Sequence, residues 1–168
     1  MTTDAPEGTD GIVAARDSTP LAGGSLINTA WAGMAVFVAT AIAGTISPDL
    51  FGTLAEGAAL VLFGIGCAVF LWAYALAVAR SRTDAIGIGG LYFLAGSAPK
   101  VVAFRLRVAL AVEVVVAIAT SAIRPYTSVA FGILVPMFGL GLCGLWGARY
   151  GVFEPRGSVA DLPPTESS

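Results

Sequence analysis

The chain has 168 residues, of which 57% are apolar and only 12% charged, with nine Lys and Arg against eleven Asp and Glu for a net charge of −2. That mix excludes an ordinary soluble domain and points to an integral membrane protein. It argues against a nucleic-acid partner, and once membrane spans are subtracted too little chain remains for a folded soluble domain of roughly 50 residues.

Residues 1–24 carry Asp4, Glu7, Asp10 and Asp17 among Gly, Pro and Thr without apolar periodicity, and read as a disordered tail. No basic n-region with a short apolar core opens the chain, so the first span is expected to remain in the mature protein. The next segment, 25–149, holds four apolar runs near 26–46, 54–79, 101–123 and 126–147, each of about 20 residues or more and so able to cross roughly 30 Å of hydrocarbon. Because backbone groups cannot go unpaired in lipid, all four are expected to be helices. Residues 150–168, with Pro155, Pro163 and Pro164, read as a second disordered tail.

Short connections at 47–53 and at Arg124-Pro125 make neighbouring helices antiparallel. The fold expected is an all-α membrane protein, a four-transmembrane-helix up-down bundle. Arg16, Arg80, Arg82, Lys100, Arg105, Arg107, Arg149 and Arg156 fall on one side of this pattern and Arg124 on the other. The positive-inside rule then puts both ends of the chain and the second loop in the cytoplasm. Trp31, Trp72, Tyr74, Trp146 and Tyr150 are expected as interfacial aromatics near the cytoplasmic helix ends.

Helices meet in lipid through small residues that allow close backbone approach. Ala35, Ala39 and Ala43 in the first helix, Gly64 and Ala68 in the second, and Gly139, Cys143 and Gly147 in the fourth have the required four-residue spacing. Pro136, midway through the fourth run, is expected to kink it. In the second run, Thr53-Leu54-Ala55-Glu56 matches the S/T-x-x-E capping box and makes Glu56 structural.

Glu113 is the residue with the most chemistry, because it lies near the middle of the third run, where an ionised carboxylate is costly. Arg105, Ala109, Glu113, Ala117 and Ser121 form a stripe of small and polar residues that should face protein. Glu113 with Ser121 reads as an interhelical polar tie, with a proton or cation site in a transport path as the alternative. The absence of a second midplane acid favours the tie.

The second loop holds an apolar run at 86–99, too short to span, with Gly87, Gly89, Gly90, Tyr92 and Pro99. It is expected to lie in the cytoplasmic interface or to be re-entrant. Gly87, Gly89 and Gly90 do not form a nucleotide-binding fingerprint. Arg80, Arg82, Lys100, Arg105 and Arg107 flank the run and could dock an anionic lipid headgroup or a partner, although topology alone also explains them.

With no His and two Cys, both inside predicted spans, neither a metal site nor a cofactor is indicated, and an enzyme is the least favoured class. The runs GGLYFLAGSAPK, FRLR and RPYTSVAFGILVPMFGLGLCGLWGARYG, within 80–156, resemble small four-span integral membrane proteins of high-GC actinobacteria that have no assigned activity. That resemblance implies a bacterial inner membrane and a cytoplasmic-loop feature at 89–99, and transfers no catalytic residue. The function expected is an accessory or scaffolding subunit of a larger membrane assembly or a lipid-interacting protein, with lipids, other membrane proteins or a second copy as partners. The alternative is a small oligomeric transporter or channel using Glu113.

Overall fold

The computed structural model describes residues 22–155. The tails expected at 1–24 and 150–168, with Arg16 and Arg156, therefore fall largely outside the described residues. Among the described residues there are five α-helices and one 3-10 helix: α1 (Gly24–Ile46), α2 (Pro48–Arg80), a short α3 (Ile88–Tyr92), α4 (Lys100–Ile123), the 3-10 helix Ser128–Leu134 and α5 (Pro136–Tyr150). There is no strand among the described residues, only an isolated bridge between Asp84 and Pro155. Among the described residues three helical segments, Gly24–Ile46, Pro48–Arg80 and Val129–Tyr150, are long and apolar enough to cross a membrane.

The link between α1 and α2 is shorter than the sequence suggested. Ser47 alone separates them, because Pro48 takes the first position of α2 and Asp49 sits in its first turn. Proline loses nothing there, since the first helical N–H has no carbonyl partner, and the aspartate complements the positive helix end. Thr53 and Glu56 therefore lie inside α2, and the expected capping box does not exist.

Pro136 also starts a helix rather than kinking one. The fourth apolar run divides at this residue into a 3-10 segment and α5, with Val135 N–H donating to Gly132 O at 3.1 Å and Phe138 N–H to Val135 O at 2.8 Å. The proline has no N–H to give, so the ladder changes register where it stands.

α5 forms the enclosed centre of the fold, with Phe138, Leu142, Cys143 and Trp146 buried in one core with Phe37 of α1, Leu62 of α2 and Leu106 of α4. Two glycines allow α2 and α5 to cross with their backbones in contact. A Cβ on Gly66 would stand 2.5 Å from the amide nitrogen of Phe138, and one on Gly141 would stand 2.7 Å from the carbonyl oxygen of Gly66. In α1, Gly33 leaves the space that the Phe138 ring fills.

These contacts correct the small-residue stripes expected for α1 and α2. Ala35, Ala39, Gly64 and Ala68 are exposed, and the buried faces run instead through Ala30, Gly33, Phe37, Ala41 and Gly44 of α1 and through Ala59, Leu62, Gly66 and Ala73 of α2. Both helices are apolar on every side, so shape selects the packed face. Exposed side chains such as Ile42, Ile65, Leu71, Val115 and Ile118 give the outside the apolar character of a lipid-facing surface.

Trp146 departs from its expected interfacial place, being 1% exposed, with its indole N–H donating to Ala22 O at 2.9 Å. Trp31, Trp72, Tyr74 and Tyr150 are exposed.

Candidate functional site

The end of the molecule where α2 and α5 finish is built around Arg80. Its Nε and Nη2 donate to Asp84 Oδ2 at 3.2 and 3.1 Å, its Nη1 to Ala148 O at 2.9 Å and its Nη2 also to Gly151 O at 3.3 Å. The last turn of α5 leaves carbonyls without intrahelical donors, and the planar guanidinium supplies them. The cation also lies 5.6 Å from the centre of the Phe153 ring. Arg80, one of five basic residues proposed from sequence for anionic docking, is thus engaged within the protein. Arg82, Lys100 and Arg105 are exposed, and Arg107 is exposed with its Nε donating to Phe93 O at 2.7 Å. Arg149 lies in the last turn of α5 at this same end, while Arg124, remote from it, donates to Thr45 O in the last turn of α1 at 3.1 Å.

The second loop folds down along α2 and α5. Gly87 is the N-cap of α3 and Pro99 that of α4. Tyr92 stacks on Phe70, ring centres 4.5 Å apart and 16° from parallel, and its hydroxyl donates to Phe70 O at 3.4 Å. Burial, with Tyr74 nearby, holds that hydroxyl above the ordinary phenol range, so it serves as a neutral donor. Gly144 and Gly147 make room for the loop: a Cβ on the first would strike the Tyr92 ring and one on the second the carbonyl of Leu91. Gly144 is ~9 Å along the helix axis from Tyr150, so the loop reaches well below the helix ends.

Sequence reading missed the residues that lock this loop. Leu94 is buried in the left-handed region at φ 54, the Ser97 hydroxyl donates to Gly90 O, and residues 151–155 lie across the outside. Val152 N–H donates to Ser97 O at 2.9 Å, Ala85 N–H donates to Glu154 O at 2.8 Å, and Phe153 packs over Gly90. Gly89 remains open to its surroundings. Arg80→Ala is expected to loosen 84–98 and 151–155 while leaving the helices formed. Amide exchange at Ala85 and Val152 should then rise about tenfold or more, since a hydrogen bond to a charged group contributes about 1.5–3 kcal/mol, with Gly139 unchanged.

Between the C-terminal half of α2 and this loop runs a groove of about 560 Å³. Phe70, Tyr74 and Val78 wall it on the α2 side, and Ile88, Leu91 and Phe93 on the loop side. No carboxylate lines it.

Glu113 stands apart from that groove. It is 0% exposed, and its Oε2 accepts the N–H of Gly139 at 3.2 Å. Gly139 belongs to the first turn of α5, where helix geometry leaves amides without carbonyl partners, so a carboxyl group from α4 takes the place of a cap. Oε1 has no hydrogen-bond partner. Ser121 is not brought to Glu113; its hydroxyl instead donates to Ala130 O at 3.4 Å, and Thr120 takes the buried position on that face. Gly139, Cys143 and Gly147 are buried, facing Glu113, the core and Leu91 respectively.

Cys67 and Cys143 are free thiols, and among the described residues no group of three His, Cys, Asp or Glu could hold a metal ion. Over the described residues, fold and site define an all-helical protein with three membrane-length helices and a loop packed into one end. No family model, curated protein or solved structure matches this chain.

Proposed function

We propose that this chain is a small, non-catalytic four-span protein of a bacterial cytoplasmic membrane that works as an accessory or scaffolding element, presenting its basic end to lipid and to neighbouring membrane proteins. In this reading α4 also crosses the membrane, as the third of four spans in chain order, the helices run up and down, and both ends of the chain are cytoplasmic. Lys100, Arg105 and Arg107 occupy the first turns of α4, and beyond them Glu113 is withdrawn from the surface, which leaves an apolar exterior over the rest of the helix. Arg80, Arg82, Lys100, Arg105, Arg107 and Arg149 belong to the end that carries the loop, as a cytoplasmic end requires.

The observation that carries the proposal is the division of labour between the two polar features. The buried acid is spent on the first turn of α5, whereas exposed cations and the groove share the opposite, loop-bearing region. A docking protein needs that arrangement. A transporter needs the acid on a path, and the one feature favouring transport is that Glu113 Oε1 has no partner. Purification in mild detergent followed by mass spectrometry is expected to recover stoichiometric membrane-protein partners. A homo-oligomer without partners, whose ion flux in proteoliposomes disappears with Glu113→Gln, would replace this reading with transport.

A further inference from the structure

We propose that the groove between α2 and the loop holds one acyl chain of an anionic glycerophospholipid of the cytoplasmic leaflet, with the lipid phosphate at Arg82, beyond the Ser81 end of the groove. The inference rests on the placement of the loop-bearing end in the cytoplasm and goes beyond it by naming the occupant.

Depth is the first support. The groove follows α2 from Phe70 to Ser81 and is backed by Leu140 of α5. At 1.5 Å per residue the α2 wall is ~16 Å long, matching one leaflet of a bilayer whose hydrocarbon is roughly 30 Å thick. Its volume of about 560 Å³ suits a single chain rather than a helix, and its outer rim, with Leu71, Val78, Ile88 and Phe93 exposed, opens sideways. A lipid therefore enters from the bilayer without crossing the protein.

Charge is the second support. The end of the groove at Ser81 is followed directly in the chain by the exposed Arg82. Its guanidinium offers paired N–H donors whose fork geometry suits phosphate oxygens. The nearest acid in the loop, Asp84, is already neutralised by Arg80 at 3.1 Å. A zwitterionic lipid gains less from this field than an anionic one.

The test uses the full chain reconstituted in nanodiscs of equal phosphatidylglycerol and phosphatidylcholine, released into mild detergent and weighed by native mass spectrometry. Wild-type protein is expected to retain one phosphatidylglycerol per chain, preferred by about fivefold through Arg82. Arg82→Gln should keep one lipid but bring the two lipids to near parity. Val78→Trp, which fills the groove from its exposed rim, should abolish retention, whereas Ile133→Trp, equally exposed but outside the groove, should not. Protection of the buried Cys143 thiol checks that each variant is folded, and Gly87→Leu, at a position with open space around it, replaces Val78→Trp if that variant misfolds. Equal retention of both lipids by wild type, retention undiminished by groove filling, or a retained peptide or uncharged molecule in place of lipid would each overturn the proposal. Because these outcomes leave the orientation of the loop untouched, they are distinguishable from failure of the wider reading.

Discussion

Gly66→Ala is expected to destabilise the protein by about 1–3 kcal/mol, the usual cost of forcing a methyl group into a filled core, and Gly66→Leu by more. The added Cβ would stand 2.5 Å from the Phe138 nitrogen and 2.7 Å from the Met137 carbonyl carbon, which are backbone atoms that no rotamer change can move aside. Only separation of α2 from α5 relieves the clash. That separation would open the core around Cys143 and withdraw support from the loop, since Gly141 and Gly144 lie on the same side of α5. Gly64→Ala is the matched control, because it lies on the same helix with nothing within 4 Å of its added methyl and gains helix propensity. In a Cys67→Ala background, thermal exposure of Cys143 to a thiol-reactive dye should shift to lower temperature for Gly66→Ala and remain near wild type for Gly64→Ala.

Glu113→Ala is expected to cost about 3 kcal/mol or more, because it combines two losses. The Gly139 N–H is left buried without an acceptor, and a cavity replaces the carboxyl and its methylenes. Glu113→Gln keeps the volume and an amide oxygen that can accept the same N–H, so its cost is expected to stay within about 1 kcal/mol. Unfolding in graded denaturing detergent, read by the same thiol, separates the two variants. If Gln proved as damaging as Ala, the carboxyl would be needed for its proton or charge rather than for its shape and acceptor, and the transport reading would gain.

The hydropathy and charge pattern was enough to find the apolar helices and to single out Glu113, because span length and the cost of a buried acid are local properties of the chain. The partner of Glu113 was not legible. An amide in the first turn of α5 becomes an available donor only when helices far apart in sequence are set side by side. The packed faces of α1 and α2 were misread for the same reason: the choice between Ala35 and Gly33, or between Gly64 and Gly66, is made by Phe138 and by the backbone of α5. Sequence alone suggests a loop residue at Pro48 and a kink at Pro136, although both residues fit a first helical position equally well. The loop was legible as an apolar segment flanked by cations. Its groove was not, because the opposite wall belongs to α2 and the lock to residues 151–155.

The central claim is that the loop, its groove and its cations face the cytoplasm while the turn before the 3-10 helix faces the opposite side. Single cysteines placed at Gly89 and at Tyr126, which is 104% exposed, in a chain lacking Cys67 and Cys143, test it with a membrane-impermeant maleimide on intact spheroplasts. The Tyr126 position is expected to label from outside, and the Gly89 position only after the membrane is permeabilised. Labelling of the Gly89 position on intact cells, or protection of the Tyr126 position, would contradict the account.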